Sequence, residues 1–238
     1  VIRQKDIDGY LAVARKDLDE NRVKSSIKEL VKIEKLDPEN LEAQYLLGIA
    51  LAKTGEYGEA VPHLERVVHS EYGYLHVQQA CMLLGVIAVR REVWEDAEQY
   101  FLRVLRFNFN NDAACSALGH VYFVRGEIEK SLQMLQQALK LNPDNHNARN
   151  SLAYVYCEGG GDLDRALMEA MKASKAEPRN YAFLDTMGWI YYKKGKETLA
   201  RETLKRALEL APENEEIKEH LRVVLGMGQD QVVEQVYR

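Results

Sequence analysis

Tyr181 to Asn214 reads YAFLDTMGWIYYKKGKETLARETLKRALELAPEN, and the remaining segments of the chain are better or worse copies of it. Leu184, Met187, Gly188 and Tyr191 recur at helical spacing and fall on one face of a first helix. Gly195 breaks that helix, Ala200, Leu204 and Ala207 mark one face of a second, and Pro212 closes the unit. The pattern predicts a helical hairpin with small residues where its two helices cross closely.

With Tyr181 as first position, earlier copies begin at Ile7, Leu41, Gln78, Asp112 and His146. The predicted units are therefore 7–40, 41–74, 78–111, 112–145, 146–180 and 181–214. In the first, Asn21 stands where the turn glycine belongs, which works because asparagine tolerates left-handed backbone angles. In the second, Pro62 is expected near the start of the second helix, where a missing amide costs little. The stretch HSEYGYLHV, 69–77, slips the register by three residues and reads as a lengthened connection. Phe109 replaces the closing proline of the third copy, and Gly159-Gly160-Gly161 adds one residue to the turn of the fifth. Glu215 to Gly226, apolar at Ile217, Leu221, Val224 and Leu225, is expected to cover the end of the stack. Val232, Val233 and Val236 suggest the second helix of a degenerate seventh copy, which Arg222 marks as imperfect.

Large, small and large residues at this spacing, with a proline close to the end of a unit of about 34 residues, resemble the tetratricopeptide repeat (TPR) family. The resemblance implies an all-α fold: a right-handed superhelical solenoid of six helix-turn-helix repeats, with 215–238 as capping helix and tail, in one domain over 1–238. In TPR domains the first helices line a concave surface that holds extended peptides or helices. Carried onto this sequence, the inward positions give a candidate peptide-binding groove of Tyr45, Ile49, Met82, Val86, Val89, His120, Phe123, Asn147, Asn150, Tyr154, Trp189 and Tyr192. Leu11 and Cys157 fall on inward positions too. Most inward positions of the second to fourth copies are apolar, and Met82 with the aromatics suits an adaptable anchor site. Asn147 and Asn150 offer donors and acceptors for a peptide backbone. The groove's basic residues, Arg15, Lys53, Arg90 and Lys193, nearly cancel its acids, Asp8, Asp19, Glu42, Glu158 and Asp185, so no strong electrostatic preference is expected. The family's carboxylate-clamp subclass needs lysine, asparagine and arginine where this chain has Leu11, Arg15, Leu46, Gln79 and Leu83; a receptor for chaperone tails is not expected.

Composition narrows the partner further. A formal charge of −5, with acids and bases interleaved, lacks the basic stripe that a phosphate backbone requires, so nucleic acid is not an expected partner. The longest apolar run, Cys81 to Val89, is far short of the roughly 18 residues of a membrane span. Cys81, Cys115 and Cys157 sit where the repeat wants small residues and read as reduced packing groups. Gly159 to Gly161 lacks the lysine and the preceding strand of a phosphate cradle. His63, His69 and His76 have no zinc-site spacing, and Cys115 and His120 point about 140° apart on one helix. No catalytic residue, metal site or cofactor is implied.

The expectation is a non-enzymatic scaffold that binds an apolar or amphipathic protein segment in its groove. Self-association of two copies, and a regulatory domain of a larger enzyme or sensor, are the alternatives. LDTMGWIYYKKG and EHLRVVLGMG are similar to repeats of bacterial envelope-associated TPR proteins, implying a role in assembling envelope complexes. The chain opens on Val1, so removal of an upstream segment is expected, by trimming or by cleavage of a targeting sequence. The compartment is cytoplasmic or, in the second case, the periplasmic side of a bacterial envelope.

Overall fold

The structure, a computed structural model, describes residues 4–70 and 73–226. Among the described residues there are thirteen α-helices and no strand. They are α1 (Gln4–Asp19), α2 (Val23–Leu36), α3 (Leu41–Thr54), α4 (Tyr57–Val68), α5 (Tyr74–Arg90), α6 (Trp94–Phe107) and α7 (Asp112–Val124). The rest are α8 (Ile128–Leu141), α9 (His146–Glu158), α10 (Leu163–Ala176), α11 (Tyr181–Lys193), α12 (Glu197–Leu210) and α13 (Glu215–Leu225). The molecule is an all-α repeat solenoid. Its contacts divide it into two compact units, Val1–Val121 and Tyr122–Arg238.

In the first unit α1 packs on α2, α3 on α4 and α5 on α6. Each second helix offers a small residue, Ser26, Ala60 or Ala97, and then a large one, Leu30, Leu64 or Phe101, all fully buried. Ser26 is satisfied in that dry place because its hydroxyl donates to the Ala14 carbonyl at 2.9 Å. In α3–α4 and α5–α6 the close crossing requires glycine opposite the large residue: a Cβ on Gly48 would lie 2.6 Å from the Leu64 side chain, and one on Gly85 2.5 Å from the Phe101 ring. The second unit repeats the arrangement in α9 with α10 and α11 with α12. There Gly188 faces Leu204 at 2.7 Å, while Ala153 shares its cluster with the smaller Ala170.

Pro178 and Pro212 each stand two residues before an asparagine that caps the next helix, and it is the asparagine that makes the bond. Asn40, Asn145, Asn180 and Asn214 accept from the amides of Ala43, Ala148, Ala182 and Ile217. The third copy has Phe109 in place of proline, yet Asn111 still accepts from Ala114 at 2.8 Å. The turn therefore forms without proline, and Phe109 is left 76% exposed.

Two local expectations are corrected. Stretch 69–77 is not all connection: α5 starts at Tyr74, four residues before the repeat register places it. The added turn holds because Val77 is buried and Tyr74 sets its ring edge-on to Phe107 at 5.1 Å, its hydroxyl donating to the Phe107 carbonyl. Pro62 lies in the second turn of α4, inside the helix rather than at its start. The carbonyl that loses its partner is that of Gly58, an exposed residue, so the loss falls at the surface.

The capping helix is as expected. Ile217 and Leu221 of α13 are buried against Leu184, Leu204, Ala207 and Leu208, with Val224 and Leu225 packed at the edge. The suggested seventh-copy positions Val232, Val233 and Val236 lie outside the described residues. No helix among the described residues is long and apolar enough to cross a membrane.

Candidate partner-binding surface

In the first unit the candidate residues come from α3, α5 and α7. Tyr45, Ile49, Met82 and Val89 are half-buried, and Val86 is 39% exposed. Met82 and Val86 join Leu75, Gln78, Gln79, Leu83 and Asn111 around a cleft of about 470 Å³. Leu75, 58% exposed, belongs to the extra turn of α5; the repeat register starts too late to find it, and its only sequence signal is an apolar residue in an apparent connection. Tyr45 borders this region, its hydroxyl donating to Gln79 Oε1 at 2.5 Å and its ring edge-on to His76 at 5.0 Å. Burial pushes its phenol up. His120 rests against Trp94 with centroids 6.2 Å apart, and desolvation lowers its pKa, favouring the neutral ring. Arg15, the inward charge best suited to a carboxylate, is paired with Glu42. Leu11, placed on the groove by register, is core at 7% exposure.

In the second unit Phe123 and Tyr154 meet edge to face at 5.5 Å. Burial and the carboxylates of Glu216, Glu158 and Asp185 push the Tyr154 phenol up to about 12. The two asparagines have different surroundings. Asn150 donates to Thr186 Oγ1 at 3.0 Å, whereas Asn147 is exposed and lines a separate cleft of about 940 Å³ with Glu177 to Ala182. Cys157 is core, 7% exposed, and burial pushes its thiol up to about 12. Cys81 and Cys115 are likewise buried and free, their thiols raised by burial.

Trp189 is the centre of the most connected group. Its ring stacks on Tyr192 at 5.1 Å and on His220 of α13 at 4.2 Å, and its indole N–H donates to Glu158 Oε1 at 2.8 Å. Lys193 lies over the same ring and pairs with Glu158 at 3.1 Å. His220 Nδ1 meets both Asp185 oxygens, at 2.9 and 3.1 Å. Burial opposes a charged imidazole there, but the hydrogen bond and charge of Asp185, with Glu216 and Glu158 behind, outweigh it and raise the His220 pKa. Partial desolvation would raise the pKa of Glu158, an exposed residue, yet donors from Trp189 and Lys193 hold it below the usual range. His220 lies beyond the six repeat copies, which is why a groove read from repeat positions omits it.

Two further histidines are occupied separately: His63 Nδ1 with Gln44 Oε1 at 2.5 Å, His69 with the Glu65 carbonyl at 2.8 Å. The three glycines of the 159–161 turn each have a backbone reason. Gly160 is left-handed at φ 74°, and a Cβ on Gly159 or Gly161 would lie within 3.0 Å of a carbonyl of α9.

Comparison with known proteins agrees with this geometry. The tetratricopeptide repeat family matches residues 11–75, 45–113 and 182–214, and a further TPR repeat description matches 94–160. No curated protein matches the chain. Among solved structures, a tetratricopeptide repeat protein from Parabacteroides merdae is similar at TM-score 0.72 and 14% identity, covering 98% of this chain and 97% of that one. Pseudomonas aeruginosa pilF is similar at TM-score 0.71 and 15% identity, covering 90% and 96%. A chain of the APC/C hetero-tetramer Cut9-Hcn1 is similar at TM-score 0.77 and 17% identity over 94% of this chain, which spans 43% of that one. YrrB, a TPR protein with an unusual peptide-binding site, is similar at TM-score 0.56 and 20% identity, covering 80% and 96%. The chain belongs to the tetratricopeptide repeat family.

Proposed function

We infer that this protein is a non-enzymatic scaffold that holds an apolar or amphipathic segment of another protein against the first helices of its repeats. The observation that carries the reading is the cleft on α5, where Leu75, Met82, Leu83 and Val86 leave apolar surface open beside Gln78, Gln79 and Asn111. Apolar walls with a few amides suit a guest that buries aliphatic side chains and keeps its main chain hydrogen-bonded. The aromatic pair of Phe123 and Tyr154 offers a similar surface in the second unit. Support of a general kind comes from the peptide-binding site of YrrB and the hetero-tetramer that contains Cut9. The similarity to pilF and to the Parabacteroides protein accords with a bacterial setting, in which the chain serves assembly of an envelope complex.

The test is a displayed library of helical peptides selected on the immobilised protein, followed by binding of the enriched peptides to Val86→Asp and Phe123→Asp variants. Enriched sequences should be amphipathic, and a buried charge in the contact should weaken them by about tenfold or more. Equal binding by wild type and both variants removes this surface from the proposal while leaving the fold intact.

A further inference from the structure

Asp185 of α11 and Glu216 and His220 of α13 bring two carboxylates and an imidazole together in the second unit. One ligand atom from each lies within 4.8 Å of the others. Glu216 and His220 are four residues apart on one helix, so they share a face, and α13 lays that face on α11. The hydrogen bond between Asp185 and His220 accounts for two of the three groups. It leaves Glu216 adding a second negative charge beside a carboxylate that is only 7% exposed. Lys193, the nearby ammonium, is committed to Glu158. A divalent cation among these groups balances both carboxylates.

The distances suit such an ion. Bonds of about 2.0–2.2 Å to nitrogen and oxygen at tetrahedral angles put neighbouring ligand atoms about 3.3–3.6 Å apart. His220 Nδ1 and Asp185 Oδ1, 2.9 Å apart across their hydrogen bond, reach that spacing by parting about 0.5 Å as the metal replaces the shared proton. Trp189 lies on the imidazole at 4.2 Å with planes 17° apart and fixes the ring's orientation, as the surroundings of a metal-binding histidine do. Glu216 is exposed, so its carboxylate can swing inward and the site has an entry path. One nitrogen and two carboxylate donors favour a first-row divalent ion over Mg²⁺ or Ca²⁺, which take oxygen alone.

We propose that Asp185, Glu216 and His220 form a binding site for a divalent transition-metal ion of the Zn²⁺ type. The ion joins the capping helix to the last repeat and locks the ring on which Trp189 stacks. The site shares Asp185 and the neighbouring Trp189 with the inward positions of the last repeat, but it rests on the three ligand side chains and not on a bound peptide.

The experiment uses the chelator-treated full chain titrated with ZnCl₂, read by calorimetry, tryptophan emission and thermal melting. Expected are one equivalent bound, a change in emission from Trp189, and a melting temperature that rises with free Zn²⁺. Glu216→Gln, an exposed substitution, should leave the metal-free melting curve unchanged and weaken binding by about tenfold or more. His220→Gln, which keeps a donor for Asp185, should weaken it as well. Absence of binding overturns the proposal and leaves an ordinary Asp185–His220 hydrogen bond. Equal affinity in wild type and Glu216→Gln also overturns it, assigning the metal to other side chains such as His69.

Discussion

Glu92 holds φ at 58° in the turn between α5 and α6, where the equivalent turns use Gly55, Gly195 or the tolerant Asn21. A left-handed backbone at a residue with a Cβ costs about 1–2 kcal/mol. Glu92→Gly removes that strain and should raise stability by about 1 kcal/mol, seen as a higher urea midpoint with unchanged slope. Gly85 presents the opposite case. A methyl there meets the Phe101 ring at 2.5 Å, and that ring is wholly buried with nowhere to retreat. Gly85→Ala should lower stability by about 1–3 kcal/mol in the same assay. The need for a small residue at 85 is legible in the repeat, since glycine recurs beside large partners at 48 and 188. The strain at 92 is not, because a sequence names the residue but not the angle that its neighbours impose.

At the scale of the helix, the capping asparagines and one ion-pair group carry testable weight. Asn111→Ala removes the side-chain acceptor of the Ala114 amide at the start of α7 and should cost about 1 kcal/mol, read as a lower urea midpoint. Glu169 of α10 is 8% exposed and receives Arg149 at 2.6 Å and Lys172 at 2.7 Å. Burial alone would raise its pKa, but those two donors outweigh burial and lower it. A lowered folded value means that ionised Glu169 stabilises the native state above the ordinary glutamate pKa of about 4.3, and that this contribution fades as pH falls through the folded value. Glu169→Gln should therefore cost about 1–2 kcal/mol at pH 7, and the gap from wild type should narrow in melts at progressively lower pH below 4.3. Helix periodicity marked every one of these elements in advance. It placed the start of α5 too late because the turn at Tyr74 is stabilised by Phe107, thirty-three residues away, and no local pattern records that contact.

At the scale of the molecule, α13 keeps the last hairpin's apolar face from water. Leu221 is fully buried there, so Leu221→Ala should cost about 2–5 kcal/mol, checked by thermal melting. By itself the sequence determined the repeat, its register, the all-α class and the family, because the spacing of apolar and small residues is written within each helix and each helix obeys it alone. Only the tertiary structure decided which inward positions remain open. Leu11 and Cys157 fall on inward positions just as Val86 does, yet they are core, while Trp189 stacks on both Tyr192 and His220. The grouping of Asp185 with Glu216 and His220 also arises only in three dimensions. The reason is physical: exposure and pairing depend on how the next hairpin packs, on partners some thirty residues distant, and a period of 3.6 residues carries no information about them.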